Sequence, residues 1–237
     1  MTTPLVLLPG LLLDARLWQP QVEGLAGRVT PWVADLTRDD SIAGMARRVL
    51  AEAPFERFAL CALSMGGYVA FELMRQAPQR VERLALLDTQ AIPETDEARE
   101  RRTAQIRLVE GGKLSLVAER LLALELYGRQ LEDARLRELR KAMALDVGAE
   151  SFLRQVKAIM ARPDSRPMLG AIRCPTLVLC GEHDALTPRA RHEEMAAAIP
   201  GATLTVVPGC GHLSTLEKPL EVNRALAAWL DRSGPGD

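Results

Sequence analysis

The sequence predicts a doubly wound α/β fold: a mainly parallel sheet of about six strands, interrupted by an inserted block of helices. Three observations carry that expectation. Short apolar runs alternate with longer helix-periodic segments on both sides of the chain's middle third. Between about residues 91 and 170 no strand-like run occurs, and only helical stripes recur. Ser64, Asp184 and His212 each stand just past the end of an apolar run, where a parallel sheet gathers its functional groups.

In chain order, Leu5 to Leu8 reads as the first strand, ended by Pro9-Gly10. A helix from about Asp14 to Leu25 follows, with Asp14 as its N-cap, and Thr30 to Val33 forms a shorter strand. Ser41 caps a helix running to about Ala53. Phe58 to Leu63 is the strand that delivers Ser64. The helix behind it carries Tyr68, Val69, Ala70, Phe71, Leu73 and Met74, apolar nearly all round, which places it in the middle of a domain. It ends before Pro78, and Leu84 to Leu87 makes the next strand.

Three helical stripes then recur: Leu114, Val117, Leu121 and Leu124; Leu136, Leu139, Met143 and Val147; Phe152, Val156 and Ile159. Arg99, Glu100, Arg101 and Arg102 read mostly as a solvated face. After the loop from Pro163 to Pro167, the sheet resumes at Thr176 to Cys180 and at Thr203 to Val207, with a helix near Arg189 to Ile199 between them. The last helix begins near Pro219 and packs Val222, Leu226, Trp229 and Leu230 on the sheet; residues 233–237 are expected to fray. Residues 1–90 and 171–237 thus form the sheet core, and residues 91–170 a helical cap.

Composition narrows the function classes. The chain's 237 residues, 48% hydrophobic with a net charge of −1, suffice for one sizeable core. That balance argues against a nucleic acid or an anionic membrane as partner. Met1-Thr2-Thr3-Pro4 carries no basic n-region, so no signal peptide is expected, and no apolar run is long enough to span a bilayer. Cys61, Cys174, Cys180 and Cys210 lack CxxC spacing and read as reduced thiols of a cytoplasmic protein. The three histidines lack metal-ligand spacing, and no metal or cofactor is expected.

Ser64 lies in Cys61-Ala62-Leu63-Ser64-Met65-Gly66-Gly67, between a strand and a helix. A sharp turn there lifts the hydroxyl out of the chain and aims helix N–H groups at it. A serine is a poor nucleophile until a base takes its proton. His212 titrates in the right range to do so, and Asp184 would fix its tautomer. Taken singly, Ser64 could be an N-cap, His212 a loop residue and Asp184 a turn residue; together their types, order and strand positions point to a triad.

His183 adjoins Asp184 and is expected to point elsewhere, and His192, within a helix, is expected to be exposed. Asp88 follows its own strand and is either an alternative acid or a turn cap. The N–H groups of Leu11 and Met65 are the natural oxyanion donors. Leu11, Leu12 and Met65 would give the substrate an apolar wall.

These pieces resemble the alpha/beta hydrolase superfamily, in its cap-bearing esterase-type branch, across nearly the whole chain. The resemblance rests on Leu8-Pro9-Gly10, Ala62-Leu63-Ser64-Met65-Gly66, Gly181-Glu182-His183-Asp184 and Gly211-His212. It implies Ser64 as nucleophile, Asp184 as acid and His212 as base, with Gly66 and the Leu11 loop at the family's elbow and oxyanion positions. Ala62 stands where the family usually has glycine, which implies a slightly tighter turn. Pro9-Gly10 replaces a common His-Gly, which bears on the loop's hydrogen bonding. The chain starts on the strand that is third in the family, so the N-terminal antiparallel strands are expected to be missing.

A serine at this position sets the chain apart from the aspartate-nucleophile haloalkane dehalogenases and epoxide hydrolases. The resemblance implies hydrolysis of carboxylic esters of small or medium, mainly apolar substrates through an acyl-enzyme on Ser64. The same triad serves acyltransferases, lactonases, thioesterases, carbon–carbon hydrolases and perhydrolases, and the fold also serves as a ligand receptor.

Overall fold

The computed structural model describes residues 2–232. Its six strands are β1 (Thr3–Leu8), β2 (Val29–Val33), β3 (Phe58–Leu63), β4 (Val81–Leu87), β5 (Thr176–Gly181) and β6 (Thr203–Val207). All pair in parallel, in the order β2-β1-β3-β4-β5-β6. The helices are α1 (Gln19–Gly24), α2 (Ile42–Glu52), α3 (Met65–Gln76), α4 (Asp96–Glu110), α5 (Leu114–Glu125), α6 (Ala134–Met160), α7 (Arg166–Leu169), α8 (Arg189–Ala198), α9 (Ser214–Glu217) and α10 (Pro219–Leu230).

Side chains alternate across a strand, so one apolar sheet feeds two cores. Val6, Leu8, Phe58, Leu60 and Ala62 point to one face, under α2, α3 and α8. Leu5, Leu7, Ala59, Cys61 and Leu63 point to the other, where Trp18, Leu226 and Trp229 cover them. Strands buried on both faces read as continuous apolar runs, which is why Phe58–Leu63 shows no polar alternation.

Strand order reverses between β1 and β3. The chain winds outward to β2, then returns to the middle and winds the other way to β6. Crossovers on opposite faces leave a crevice at the C-terminal ends of β1 and β3, the place where open α/β sheets bind ligands. The loop carrying Leu11 and the turn carrying Ser64 both lie there.

Between β4 and β5 the described chain is helical, and α4, α5 and α6 pack on one another. A third apolar cluster, including Val117, Leu121, Phe152 and Val156, is this block's own core. Two local details differ from the expectations. The first helix is a 3₁₀ turn (Ala15–Trp18) that passes into α1, because Pro20 lacks the N–H a continuous helix would use. Leu124 is 47% exposed rather than packed in its stripe. Gly148, at φ 82°, breaks α6 into two arms, between the second and third stripes. Residues 233–237, expected to fray, lie outside the described residues. No helix among the described residues is long and apolar enough to cross a membrane.

Candidate active site

The turn from β3 into α3 forces Ser64 to φ 55°, ψ −116°, a conformation that costs a non-glycine residue on the order of 1–3 kcal/mol. Its surroundings hold it there. Ser64 N–H donates to Leu87 O at 3.0 Å, and Thr89 Oγ1 donates to Ser64 O at 2.8 Å. Gly66 lets α3 start hard against β1: a Cβ at that position would lie 2.4 Å from Leu8 O. Ala62, in the place usually held by glycine, is fully buried in β3 beside Leu8 and Leu86.

Ser64, His212 and Asp184 meet above the sheet. His212 Nε2 lies 2.9 Å from Ser64 Oγ, and its Nδ1 lies 2.8 Å from Asp184 Oδ2. Asp184 also accepts from Leu186 N–H and Thr187 N–H at 2.9 Å, and from Thr187 Oγ1–H at 2.6 Å. Burial alone would push the His212 ring down, but the Asp184 carboxylate overrides it and lifts the pKa to about 9. Burial likewise opposes ionisation of Asp184, yet His212 and Thr187 hold it below the usual carboxylate range. Leu11 and Met65 both line the cleft beside Ser64, and neither amide N–H donates to a group among the described residues. They are free to serve a ligand.

The histidine loop is held by two glutamates that sequence reasoning did not single out, one through its carboxylate and one through its backbone carbonyl. Glu217 accepts from Gly211 N–H, Leu213 N–H and Tyr127 N–H, all within 3.1 Å. The other is Glu125, whose backbone carbonyl accepts from His212 N–H at 2.7 Å. Its side chain forms a buried bidentate pair with Arg140 at 2.7 and 2.8 Å. Arg140 also donates to Leu12 O at 3.0 Å, and Gln155 Oε1 takes Leu12 N–H at 3.1 Å. Two side chains of α6 therefore clamp both backbone groups of Leu12, next to the Leu11 amide.

Leu12 itself is not where the sequence put it. At φ 55° its side chain turns away from the cleft and is buried in the helical block's core, while Leu13 takes the place at the cleft. His192 is a second correction: it is fully buried, because α8 packs its His192 and Met195 side against the sheet. His192 Nε2 accepts Thr89 N–H at 2.9 Å, so it braces the residue that braces Ser64. Asp88 does not bond the His212 ring. It is a buried anchor, accepting from Gly181 N–H, Ser214 N–H and Ser214 Oγ–H; burial and then Asp184 push its pKa well up. His183 points elsewhere, as expected, and stacks on Tyr127 at 3.8 Å between ring centroids.

Burial lowers His192 to about pKa 4, which fixes a sign. The unfolded chain takes up a proton below about pH 6.5 that the native state refuses, so stability falls as pH drops from 6.5 through 4. His192→Gln is expected to remove ~3 kcal/mol of that decline. Denaturant titrations of both proteins at neutral and acid pH measure the difference; parallel declines would show that His192 is not responsible.

The cleft above Ser64 is only partly apolar. Leu11, Leu13, Met65, Tyr68, Leu121 and Leu186 form one side, but Gln90, Glu94, Arg101, Arg102 and Gln105 form another. Arg99 and Glu100 are exposed, as expected of a solvated face, whereas Arg102 turns toward the cleft.

A model described as the alpha/beta hydrolase family matches residues 5–225. The chain belongs to that family. Among its alpha/beta hydrolase relatives, a pimeloyl-[acyl-carrier protein] methyl ester esterase of Nitrosomonas europaea is 29% identical over 235 residues, covering 91% of this chain and 90% of the relative. A thermophilic esterase from Thermogutta terrifontis, solved with malate bound, superposes with a TM-score of 0.89 at 30% identity, covering 97% of this chain and 90% of that one. The enol-lactonase from Burkholderia xenovorans LB400 also superposes at 0.89, with 22% identity, covering 98% of this chain and 92% of that one; it shares the fold.

Proposed function

We propose that this alpha/beta hydrolase cleaves carboxylic esters of small to medium size through an acyl-enzyme on Ser64. The observation that carries the reading is the unbroken relay from Ser64 Oγ to His212 to Asp184, at a cleft where two amide N–H groups stand unused. Ser64 Oγ attacks the ester carbonyl carbon while His212 Nε2 takes the hydroxyl proton. The Leu11 and Met65 amides hold the oxyanion. Collapse breaks the bond to the alkoxy oxygen, which leaves with the proton from His212. Water, deprotonated by the same ring, then attacks the acyl carbon and releases the acid and free Ser64.

The relatives described as esterases support this chemistry. A cleft of about 130 Å³ favours small or medium acyl groups. In this reading the helical block is a cap over the site, since Leu121 and Leu124 of α5 and Arg101 and Arg102 of α4 line the cleft. Free thiols at all four cysteines support a reducing, cytoplasmic setting.

A fluorophosphonate probe is expected to add one covalent mass to the protein, located on the Ser64 peptide, and to silence hydrolysis of p-nitrophenyl butyrate. Ser64→Ala should take up no probe. Full ester hydrolysis by that variant would overturn the mechanism.

A further inference from the structure

Ala98, Arg101, Arg102 and Gln105 fall on one face of α4, at i, i+3, i+4 and i+7, and that face lines the cleft. Arg102 donates Nε–H to Glu94 at 3.2 Å; its terminal nitrogens donate to no group among the described residues. The Glu94 side chain is 1% exposed and also pairs with Arg162, itself 3% exposed. Arg162 is further held by Ile92 O and Ile159 O and lies over the Tyr68 ring. One buried carboxylate thus faces two guanidiniums, and the uncompensated positive charge belongs to the one that borders the cleft.

Arg101, 61% exposed, borders the cleft beside it, steadied by Glu97 at 2.6 Å. Gln105 contributes Oε1, which is buried without a partner. Half a turn of that amide would present its N–H₂ instead, as a carboxylate ligand requires. A guanidinium with open N–H groups matches the two oxygens of a carboxylate better than any other side chain.

We propose that this face of α4 is a carboxylate subsite, and that the preferred substrate is an ester whose acyl chain ends in a second, free carboxylate. Arg102 holds that carboxylate with help from Arg101 and Gln105, while the ester carbonyl sits at Ser64. The inference rests on the ester-hydrolase reading, and its test separates the two.

Monomethyl esters of diacids from succinate to suberate are compared with methyl esters of monoacids of equal chain length. The charged series should be favoured in kcat/KM, on the order of tenfold at the best length. Arg102→Gln should erase most of that ratio, Arg101→Gln part of it, and Arg99→Gln, outside the face, none. In a readout without turnover, glutarate or adipate should raise the melting temperature of Ser64→Ala but not of the Ser64→Ala, Arg102→Gln double variant.

Equal turnover of both series, or a ratio untouched by Arg102→Gln and Arg101→Gln, would overturn the subsite and leave the hydrolase reading intact. Arg102-dependent stabilisation by the diacids without cleavage of any ester would do the reverse. Should Arg102→Gln fold poorly, the exposed Arg101→Gln carries the same comparison.

Discussion

Asp184→Asn is expected to lower kcat/KM for ester hydrolysis about 10⁴-fold while leaving the fold intact. The hydrogen bonds around residue 184 set the direction. Leu186 N–H and Thr187 N–H point at Oδ1, so the asparagine carbonyl oxygen stays on that side. The amide N–H₂ then replaces Oδ2, the atom 2.8 Å from His212 Nδ1. An N–H facing Nδ1 forces that nitrogen to accept, which moves the ring proton to Nε2. Nε2–H can no longer receive the proton of Ser64, 2.9 Å away. In the parent enzyme the acid limb of kcat/KM should follow His212, displaced upward toward about pH 9, because the base acts only when unprotonated. Steady-state kinetics across pH, with circular dichroism as the folding control, measure both effects. If Asp88 could replace Asp184, the single variant would keep substantial activity and an Asp88→Asn, Asp184→Asn double variant would lose it. Asp88's bonds to Gly181 and Ser214 predict that it cannot.

Arg140→Met should cost about 3–5 kcal/mol of stability, since it leaves the buried Glu125 carboxylate without its partner. The same change should lower kcat by about tenfold to hundredfold, because Leu12 O loses its donor and the adjoining Leu11 amide loses its aim. The two effects can be pulled apart. An Arg140→Met, Glu125→Gln double variant removes the stranded charge and should recover much of the stability. It should not recover kcat, as Leu12 O still lacks its donor. Chemical denaturation and single-turnover kinetics distinguish these outcomes; a double variant that regained both would show that Arg140 matters only as a counter-ion.

Ser64, Asp184 and His212 were legible because each terminates an apolar run, and a parallel sheet brings such termini to one edge. The strands read well for the same reason: buried on both faces, they show as uninterrupted apolar stretches between turn residues. Leu12 misled because nothing in Gly10-Leu11-Leu12-Leu13 announces the positive φ that turns one leucine away and its successor in. Arg140 was hidden by its neighbour, since Leu139 supplied an obvious apolar partner for Leu136 and Met143 while the guanidinium occupied the buried position. A charged residue four after Leu136 and three before Met143 was the available sign. His192 stands three residues before the buried Met195, a spacing that marks an inward face, but the surrounding charges of α8 outweighed it. Arg102 lay in a charge run, and only the packed α4 separates its inward members from its outward ones.

The burial of Leu12 inside the helical block bears on how substrate can enter. Leu12 belongs to a loop of the sheet, yet its side chain is a core residue of the block, and its amide and carbonyl are bound by Gln155 and Arg140 of α6. A hinged swing of the whole block would drag the loop along and carry the proposed Leu11 donor away from Met65, which stays on α3. The loop and the block therefore hold together as one packed unit, and the exposed Leu124 borders the cleft that leads to Ser64.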